Sequence, residues 1–287
     1  LQLIASARIT PQEDHAITTV LHGLCAIMIY LALGHNDISF LTAILFSFCP
    51  INNQCSVWIS GRWYVLVAIL LMSSMVFPYF SPLFLFIASV HPAGWFSPFG
   101  FIGSNKWWLS LIALPCLIYQ FKVIRFMVDR KRKMESVDED KKIFTFDRVV
   151  VAIKTYGFYA MLTIIPFKLT FYHSFLHSMA GNEIMRKLAY KKDKFFYIGL
   201  ILSGYMLYSI FHWSPIGWGL LWFTICIAPY INLYRCQQEI AERYTYIANI
   251  GLVFILANLI IGHPILITAF IVGYMVRLWY YMMAFQD

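Results

Sequence analysis

The chain has 287 residues, of which 60% are hydrophobic, 18% are aromatic and only 13% are charged. Soluble domains carry about 25% charged residues, so this composition excludes an ordinary soluble protein and favours an integral membrane protein made of helices. The formal net charge is +8, but the basic residues lie between apolar segments, which favours orientation in a membrane and contact with anionic lipid over nucleic-acid binding.

Apolar segments that suit a bilayer recur along the whole chain. They predict an all-α, polytopic transmembrane helical bundle of about nine membrane segments, in a single domain that covers residues 1–287. In chain order the segments are 15–33, 38–49, 63–80, 82–89, 107–126, 149–171, 195–211, 218–233, 244–261 and 264–285. The second is short for a full crossing, and the fourth joins the third through FPYFSP as part of one crossing hairpin.

Charge between the segments predicts the orientation of the chain. Residues 121–148 carry nine Lys/Arg, so the loop at about 122–148 is expected to be cytoplasmic. Counting crossings from that loop places the C-terminus and four loops on the opposite face, namely 50–62, 93–104, 172–194 and 234–243. Residues 182–194 carry five basic residues on that face, which either an interfacial amphipathic helix or a lipid-phosphate site would explain.

The six cysteines form no CxxC pair, and several lie inside apolar segments. This pattern favours small buried side chains, although a Cys49–Cys55 or a Cys55–Cys236 bridge is geometrically conceivable.

Four stretches of sequence are expected to lie at the external face, opposite the basic cytoplasmic loop. The first is HAITTVLHGLCAIMIYL, which begins at residue 15, and the second is CPINNQCSVWISGR at 49–62. The third is IKTYGFYAMLTIIPFKLTFY at 153–172, and the fourth is LLWFTICIAPYINLYRCQQEIAERYTY at 220–246. Charged groups at a membrane surface survive when they pair, line a wet cavity or bind a ligand, and the fourth stretch places Glu242 and Arg243 where a helix enters the bilayer.

Together these stretches resemble the GT-C type polytopic glycosyltransferases, and most closely the transmembrane and tetratricopeptide-repeat O-mannosyltransferases with their bacterial relatives. His15, Thr18 and His22 stand where that family has His-x-x-Asn-x-x-x-His. The family's loop HPINTEAVxxISGR is matched by Pro-Ile-Asn at 50–52 and by an intact ISGR at 59–62.

The two later stretches match in the same order. The family sequence GYYLRLLLFPLNLSLDY resembles residues 157–172 through Gly157 and Pro166, and LLWF followed by NL and AERYxY resembles residues 220–246. The resemblance covers roughly residues 15–260 and implies a GT-C-like fold.

The resemblance also implies a chemistry. Such enzymes take a sugar from a polyprenyl-phosphate donor and transfer it to a hydroxyl acceptor on the external or luminal face, with the lipid tail in a groove between helices. Arginine suits the donor phosphate because its planar fork binds oxygens bidentately and keeps its charge. The candidate donor-phosphate and lipid-binding residues are Arg62, Arg243, Glu242, Tyr244, Tyr246 and His15.

In that group Glu242 is expected to orient an arginine through an ion pair. Tyr244 and Tyr246 are expected to form hydrogen bonds at headgroup level, and His15 to line the cavity. The deeper His22 is better explained as a packing residue.

The chain departs from the family where the chemistry is concentrated. Cys49 replaces the histidine of the Pro loop, and Gln54, which is neutral, replaces its glutamate. The family's acidic external loop, which supplies a general base or a metal ligand, lies before the region that this chain matches. Glu13 and Asp14 are the remaining candidate catalytic carboxylates. No metal ligands are assigned, but a divalent metal is compatible with the chemistry.

Three explanations stay open: a piece of an active enzyme, a chain whose catalytic group comes from another chain, and a GT-C-like protein that has lost catalysis. The last would be a scaffold or a lipid-binding subunit of a larger membrane complex. The expected partners are membrane lipids and protein subunits, in a bacterial inner membrane or in the endoplasmic reticulum or another organelle. A secondary transporter is disfavoured because no internal symmetry is visible.

Overall fold

A computed structural model describes residues 10–57, 61–97, 118–119, 121–122, 125, 146–166, 169, 191–212, 214–231 and 241–283. Within these ranges the protein is helical and has no strand, which confirms the all-α prediction. The α-helices are α1 (Pro11–Ala32), α2 (Asp37–Phe48), α3 (Asn53–Val57), α4 (Arg62–Val76), α5 (Ser81–Ala88), α6 (Phe146–Ile164), α7 (Lys194–His212), α8 (Pro215–Ile227), α9 (Tyr246–Ile260) and α10 (Pro264–Met283). Short 3-10 helices cover Pro50–Asn52, Pro92–Gly94, Ala228–Tyr230 and Glu242–Thr245.

Local sequence signals explain where α1 begins and ends. The Thr10 hydroxyl accepts from the Glu13 backbone N–H, and the Glu13 carboxylate accepts from the Thr10 N–H, with Pro11 at the first helical position. This reciprocal pair is a capping box, which satisfies donors that the helix start leaves open. Gly34 follows the helix with a φ of 100°, a conformation that glycine adopts at little cost.

The short segment predicted at 38–49 is the first half of a bent pair. Asp37–Phe48 and Pro50–Val57 meet at an angle of 56°, which is the geometry of a broken span or a re-entrant loop. Pro50 causes the break, since its ring cannot continue the preceding helix. The Asn52 side chain donates to the Phe46 carbonyl at 2.8 Å and so replaces a backbone bond lost at the bend.

By length and composition, three described helical segments could cross a membrane, and the bent pair would make a fourth. The three segments are Gln12–Ala32, Glu242–Ile260 and Pro264–Met283. The prediction of about nine segments is therefore not confirmed by the described residues.

Prolines and charges explain part of this difference. The segment predicted at 63–80 is helical only to Val76, because Pro78 follows, and the segment predicted at 82–89 is a helix of eight residues. The helix in 218–233 ends at Ile227, before Pro229, and α6 carries three charged residues. Almost all of 107–126 and of the basic loop 122–148 lies outside the described residues.

Glycines allow two helix pairs to approach closely. Between α8 and α9, a Cβ at Gly219 would lie 2.7 Å from the Gly251 carbonyl oxygen and 2.5 Å from Ile255 Cγ1. Trp222 Nε1 donates to the Ile247 carbonyl at 2.8 Å along the same interface. Between α6 and α7, a Cβ at Gly157 or Gly199 would meet the partner's backbone. Small residues at the crossing are the usual means of tight packing between membrane helices.

The core surrounds α9, which contacts α2, α4, α6, α8 and α10. Phe46, Tyr159, Phe223 and Tyr246 are among its largest fully buried side chains.

Several chain segments meet at one end of this bundle. The Tyr159 hydroxyl, late in α6, accepts from the Ala241 N–H at 3.2 Å, and Arg62 at the start of α4 meets Asp14 at the start of α1. Tyr281, near the end of α10, contacts Glu242. The described parts of two loops that were predicted to share a face, 50–62 and 234–243, therefore lie together, and the end of α10 lies with them. We call this the Arg62/Arg243 end.

Candidate functional site

Arg62 is held by α1 through several hydrogen bonds. Its Nη2 donates to Asp14 Oδ1 at 2.9 Å, to the Asp14 carbonyl at 3.0 Å and to Thr18 Oγ1 at 3.0 Å, while Nε donates to Thr18 Oγ1 at 3.1 Å. Asp14 and Thr18 are four residues apart and share a helix face, so one turn of α1 presents both groups to the guanidinium. The side chains of Arg62 and Asp14 are 19% and 21% exposed, so the pair is close to solvent but not free in it.

One edge of the Arg62 guanidinium is not bound to α1. Its Nη1 donates to no residue in the described part of the chain, whereas Nε and Nη2 both face α1. A guanidinium that is fixed on one edge and open on another is suited to binding an anion. Its side chain is already immobilised, so binding costs little further conformational entropy.

Glu242 and Arg243 lie on the 3-10 turn that leads into α9. Glu242 is fully buried, and its Oε2 accepts from the Tyr281 hydroxyl at 3.1 Å. The Arg243 backbone N–H donates to Gln54 Oε1 at 2.7 Å, and the Cys55 thiol donates to the Arg243 carbonyl at 3.6 Å. The carboxylate that pairs with Arg62 is Asp14, and an ion pair of Glu242 with an arginine stays a prediction.

The short helix α3 brings the two arginines into one region. A Cβ at Gly61, which precedes Arg62, would lie 2.7 Å from Cys55 Cα, so the start of α4 presses on α3. Arg243 is bound to α3 through Gln54 and Cys55. Residues from the second and fourth sequence stretches are therefore joined by direct contacts.

Aromatic rings cover one side of Arg243. Its Cζ lies 5.2 Å from the centroid of the Tyr244 ring, a cation–π distance. Tyr244 stacks on Tyr230 with centroids 4.2 Å apart and planes within 9°, and Tyr64 contacts both rings. Tyr244 is 7% exposed, so its ring supports Arg243 from within the protein instead of reaching out to headgroup level.

Tyr246 requires a correction. It is fully buried, and its hydroxyl lies 2.6 Å from His22 Nδ1. His22 Nε2 faces the Ser47 carbonyl at 3.2 Å, so Nε2 carries the proton and Nδ1 accepts from the tyrosine. Tyr246 is thus a core residue and not a headgroup ligand, and His22 is the packing residue that the sequence favoured.

Glu13 and His15 are also placed away from Arg62. The Glu13 carboxylate caps α1 through the Thr10 N–H at 2.7 Å and hydroxyl at 3.0 Å. The His15 side chain is exposed, and its ring forms no hydrogen bond, ion pair or ring contact with the described residues. Because residues 13, 14 and 15 point in directions about 100° apart on a helix, only Asp14 faces Arg62.

The cysteines and acidic groups that the structure describes form no metal centre. Four cysteines are free and buried, namely Cys25, Cys49, Cys55 and Cys226, so the conceivable Cys49–Cys55 bridge is not formed. Cys236 lies outside the described residues. Among the residues that the structure describes, no three or more His, Cys, Asp or Glu side chains are grouped to hold a metal ion.

Sequence reasoning missed Gln54, Tyr281 and Arg277. Gln54 was read only as the loss of an acid, yet its amide oxygen anchors the Arg243 backbone. Arg277 donates from Nε to the Pro166 carbonyl at 2.8 Å. An arginine inside an apolar helix was a signal in the sequence, because such residues are costly in a bilayer and face the bundle interior.

No family model matches the chain, and no match was found among the curated proteins or the solved structures. The family resemblance therefore depends on the four sequence stretches, and a function has to be argued from the geometry at the Arg62/Arg243 end.

Proposed function

We propose that this protein is a multi-pass, GT-C-like membrane glycosyltransferase. It would move a sugar from a polyprenyl-phosphate donor to a hydroxyl acceptor on the external or luminal face. The observation that supports this proposal is the meeting of Asp14, Arg62, Glu242 and Arg243 at one end of an apolar bundle. Charges gathered at one end of a bundle fit a lipid headgroup better than a substrate path through the bilayer.

Arg62 is the proposed phosphate ligand. Its open Nη1 edge is supported by the Asp14 pair behind it, and Arg243 adds a second positive charge close to the same short helix. The lipid tail would lie against apolar side chains that face outward, such as Ile17 and Val20 on α1. The occupant of the site would thus have an anionic head and an apolar tail.

Asp14 is the proposed general base. In the transfer step, its carboxylate takes the proton of the acceptor hydroxyl while that oxygen bonds to the anomeric carbon of the sugar. The bond from this carbon to the phosphate oxygen breaks, and the phosphate leaves with the electron pair, stabilised by Arg62. Asp14 suits this role better than Glu13, because it is the carboxylate next to the arginine.

The second candidate is a non-catalytic, lipid-binding GT-C-like subunit of a membrane complex. Gln54 favours it, since the residue that replaces the family's glutamate serves as a backbone anchor. Glu242 favours it as well, because it is fully buried against Tyr281. In this function Arg62 would still bind the phosphate, and Asp14 would only hold Arg62 in place.

A transfer assay with two matched variants separates the candidates. The full chain in lipid nanodiscs is supplied with a polyprenyl-phosphate sugar and a mixture of hydroxyl acceptors, and lipid binding is measured in parallel by native mass spectrometry. If the protein is an enzyme, Asp14→Asn lowers the transfer rate by at least about 100-fold. The matched control is Asp37→Asn, at the first residue of α2 and beyond the other end of α1, which should keep the transfer rate of the unaltered chain. Lipid binding without transfer by the unaltered chain would favour the subunit, and absence of both would refute both candidates.

A further inference from the structure

The second half of the last helix, α10, is attached to the bundle by polar side chains. Only 11% of the apolar stretch of α10 is buried inside the protein. Its two buried residues are tyrosines, Tyr274 and Tyr281, and Arg277 lies between them. Positions 274, 277 and 281 share one face of a helix, so the later part of this face is polar, whereas Ile267, Phe270 and Ile271 pack against the core earlier in the helix.

Two of these side chains close the end of α6. The Tyr274 hydroxyl donates to the Thr163 carbonyl at 2.7 Å, and Arg277 Nε donates to the Pro166 carbonyl at 2.8 Å. Helix α6 ends at Ile164, where the last carbonyls have no partner within the helix. A cation at a helix C-terminus is also favoured by the helix dipole. Helix α10 thus supplies the C-terminal cap of α6 from another part of the chain.

The third side chain reaches the Arg62/Arg243 end directly. The Tyr281 hydroxyl donates to Glu242 Oε2 at 3.1 Å, and Glu242 is fully buried. Glu242 and Arg243 are neighbours on one short 3-10 turn. The position of the Glu242 carboxylate therefore determines how this turn, and Arg243 with it, is presented toward α3.

We propose that Tyr281 and Arg277 are positioning residues for an anionic lipid headgroup. By bonding Glu242 and the end of α6, they fix Arg243 in register with Arg62, so that the site recognises the phosphate of a polyprenyl phosphate. Neither residue touches the ligand. This inference rests on the proposed function, because it assumes that the Arg62/Arg243 end binds a phosphate-headed lipid.

A headgroup comparison distinguishes positioning from a general structural role. The full chain in nanodiscs is titrated with a polyprenyl phosphate and with the polyprenol of the same length, and the ratio of the two affinities is recorded. A variant that only loosens the fold lowers the affinity for both ligands by the same factor. A variant that displaces Arg243 lowers the affinity for the phosphate more than that for the alcohol. The variant is Tyr281→Phe, and the matched control is Tyr280→Phe, whose side chain is 64% exposed.

We expect Tyr281→Phe to lower the phosphate preference by about three- to tenfold, since a hydrogen bond to a charged group is lost. Tyr280→Phe should keep the ratio of the unaltered chain. An unchanged ratio in Tyr281→Phe, with a clear preference in the unaltered chain, would overturn the inference and leave the proposed function standing. No phosphate preference in the unaltered chain would overturn both.

Arg277→Lys provides an independent test if Tyr281→Phe does not fold. Lysine keeps the positive charge at the end of α6 but lacks the planar fork that bonds Pro166 from Nε. The same loss of phosphate preference supports positioning by α10. Retention of the full preference by a folded Arg277→Lys protein contradicts it.

Discussion

The contact between α8 and α9 allows a substitution effect to be worked out from the structure. In Gly219→Ala, the new Cβ would lie 2.7 Å from the Gly251 carbonyl oxygen, whereas ordinary contacts begin at 3.4 Å. The helices must therefore separate by about 0.7 Å at this point, because a backbone oxygen cannot rotate away. The same movement would stretch the 2.8 Å bond from Trp222 Nε1 to the Ile247 carbonyl beyond the usual limit for a hydrogen bond.

The expected loss follows from three contributions. Overpacking costs about 1–3 kcal/mol, the weakened hydrogen bond costs about 1 kcal/mol, and the higher helix propensity of alanine returns about 1 kcal/mol. Gly219→Ala should therefore lower the free energy of unfolding by about 1–3 kcal/mol. Unfolding in mixed detergent micelles, followed by tryptophan fluorescence, measures this quantity.

Gly204→Ala is the matched control, because no atom lies within 4 Å of the added Cβ. It should keep or raise the free energy of unfolding, by up to about 1 kcal/mol. In an Ile255→Ala background, Gly219→Ala should cost less than in the unaltered chain but still be destabilising, since the Cγ1 contact is gone and the Gly251 oxygen is still in place. Equal stability of the Gly219→Ala and Gly204→Ala proteins would show that the helices are not packed as closely as described.

Two further predictions concern buried polar groups. Tyr246→Phe removes the hydroxyl whose hydrogen bond His22 Nδ1 accepts, and it should lower the free energy of unfolding by about 1–3 kcal/mol. Tyr197→Phe is the control, because Tyr197 is 54% exposed, and it should leave this free energy unchanged. Equal values for the two variants in the same unfolding assay would contradict the His22–Tyr246 hydrogen bond. Burial lowers the pKa of His91 from 6.5 to about 4, so the folded protein keeps this imidazole neutral while the unfolded chain takes up a proton. The contribution of His91 to stability is complete above about pH 6.5 and is lost as the pH falls toward 4. Between pH 7 and pH 4, the free energy of unfolding should therefore fall less steeply with pH in His91→Gln than in the unaltered chain. The same pH dependence in both proteins would show that His91 does not stay neutral in the folded state.

The sequence by itself determined the fold class. Its low charge and repeated apolar segments required helices, because a backbone surrounded by lipid must form its hydrogen bonds internally. Helix ends were also encoded locally, as at Thr10 and Pro11 for α1 and at Pro50 for the break after α2. The number of membrane segments could not be read in the same way, since hydropathy does not show where Pro78 or Pro229 divides an apolar stretch into short helices.

Only the tertiary structure decided which candidate residues act together. Periodicity could place Asp14 and Thr18 on one face of α1, but their partner Arg62 is distant in sequence, and pairing over such distances depends on how helices pack. The same holds for Tyr246, which the sequence placed at the headgroups and which points into the core toward His22. Glu242 was predicted to orient an arginine, and no signal in the sequence indicated that Tyr281 of α10 donates to its carboxylate. Sequence supplies the chemical groups, and packing determines the direction in which each one points, because a helix presents neighbouring residues about 100° apart.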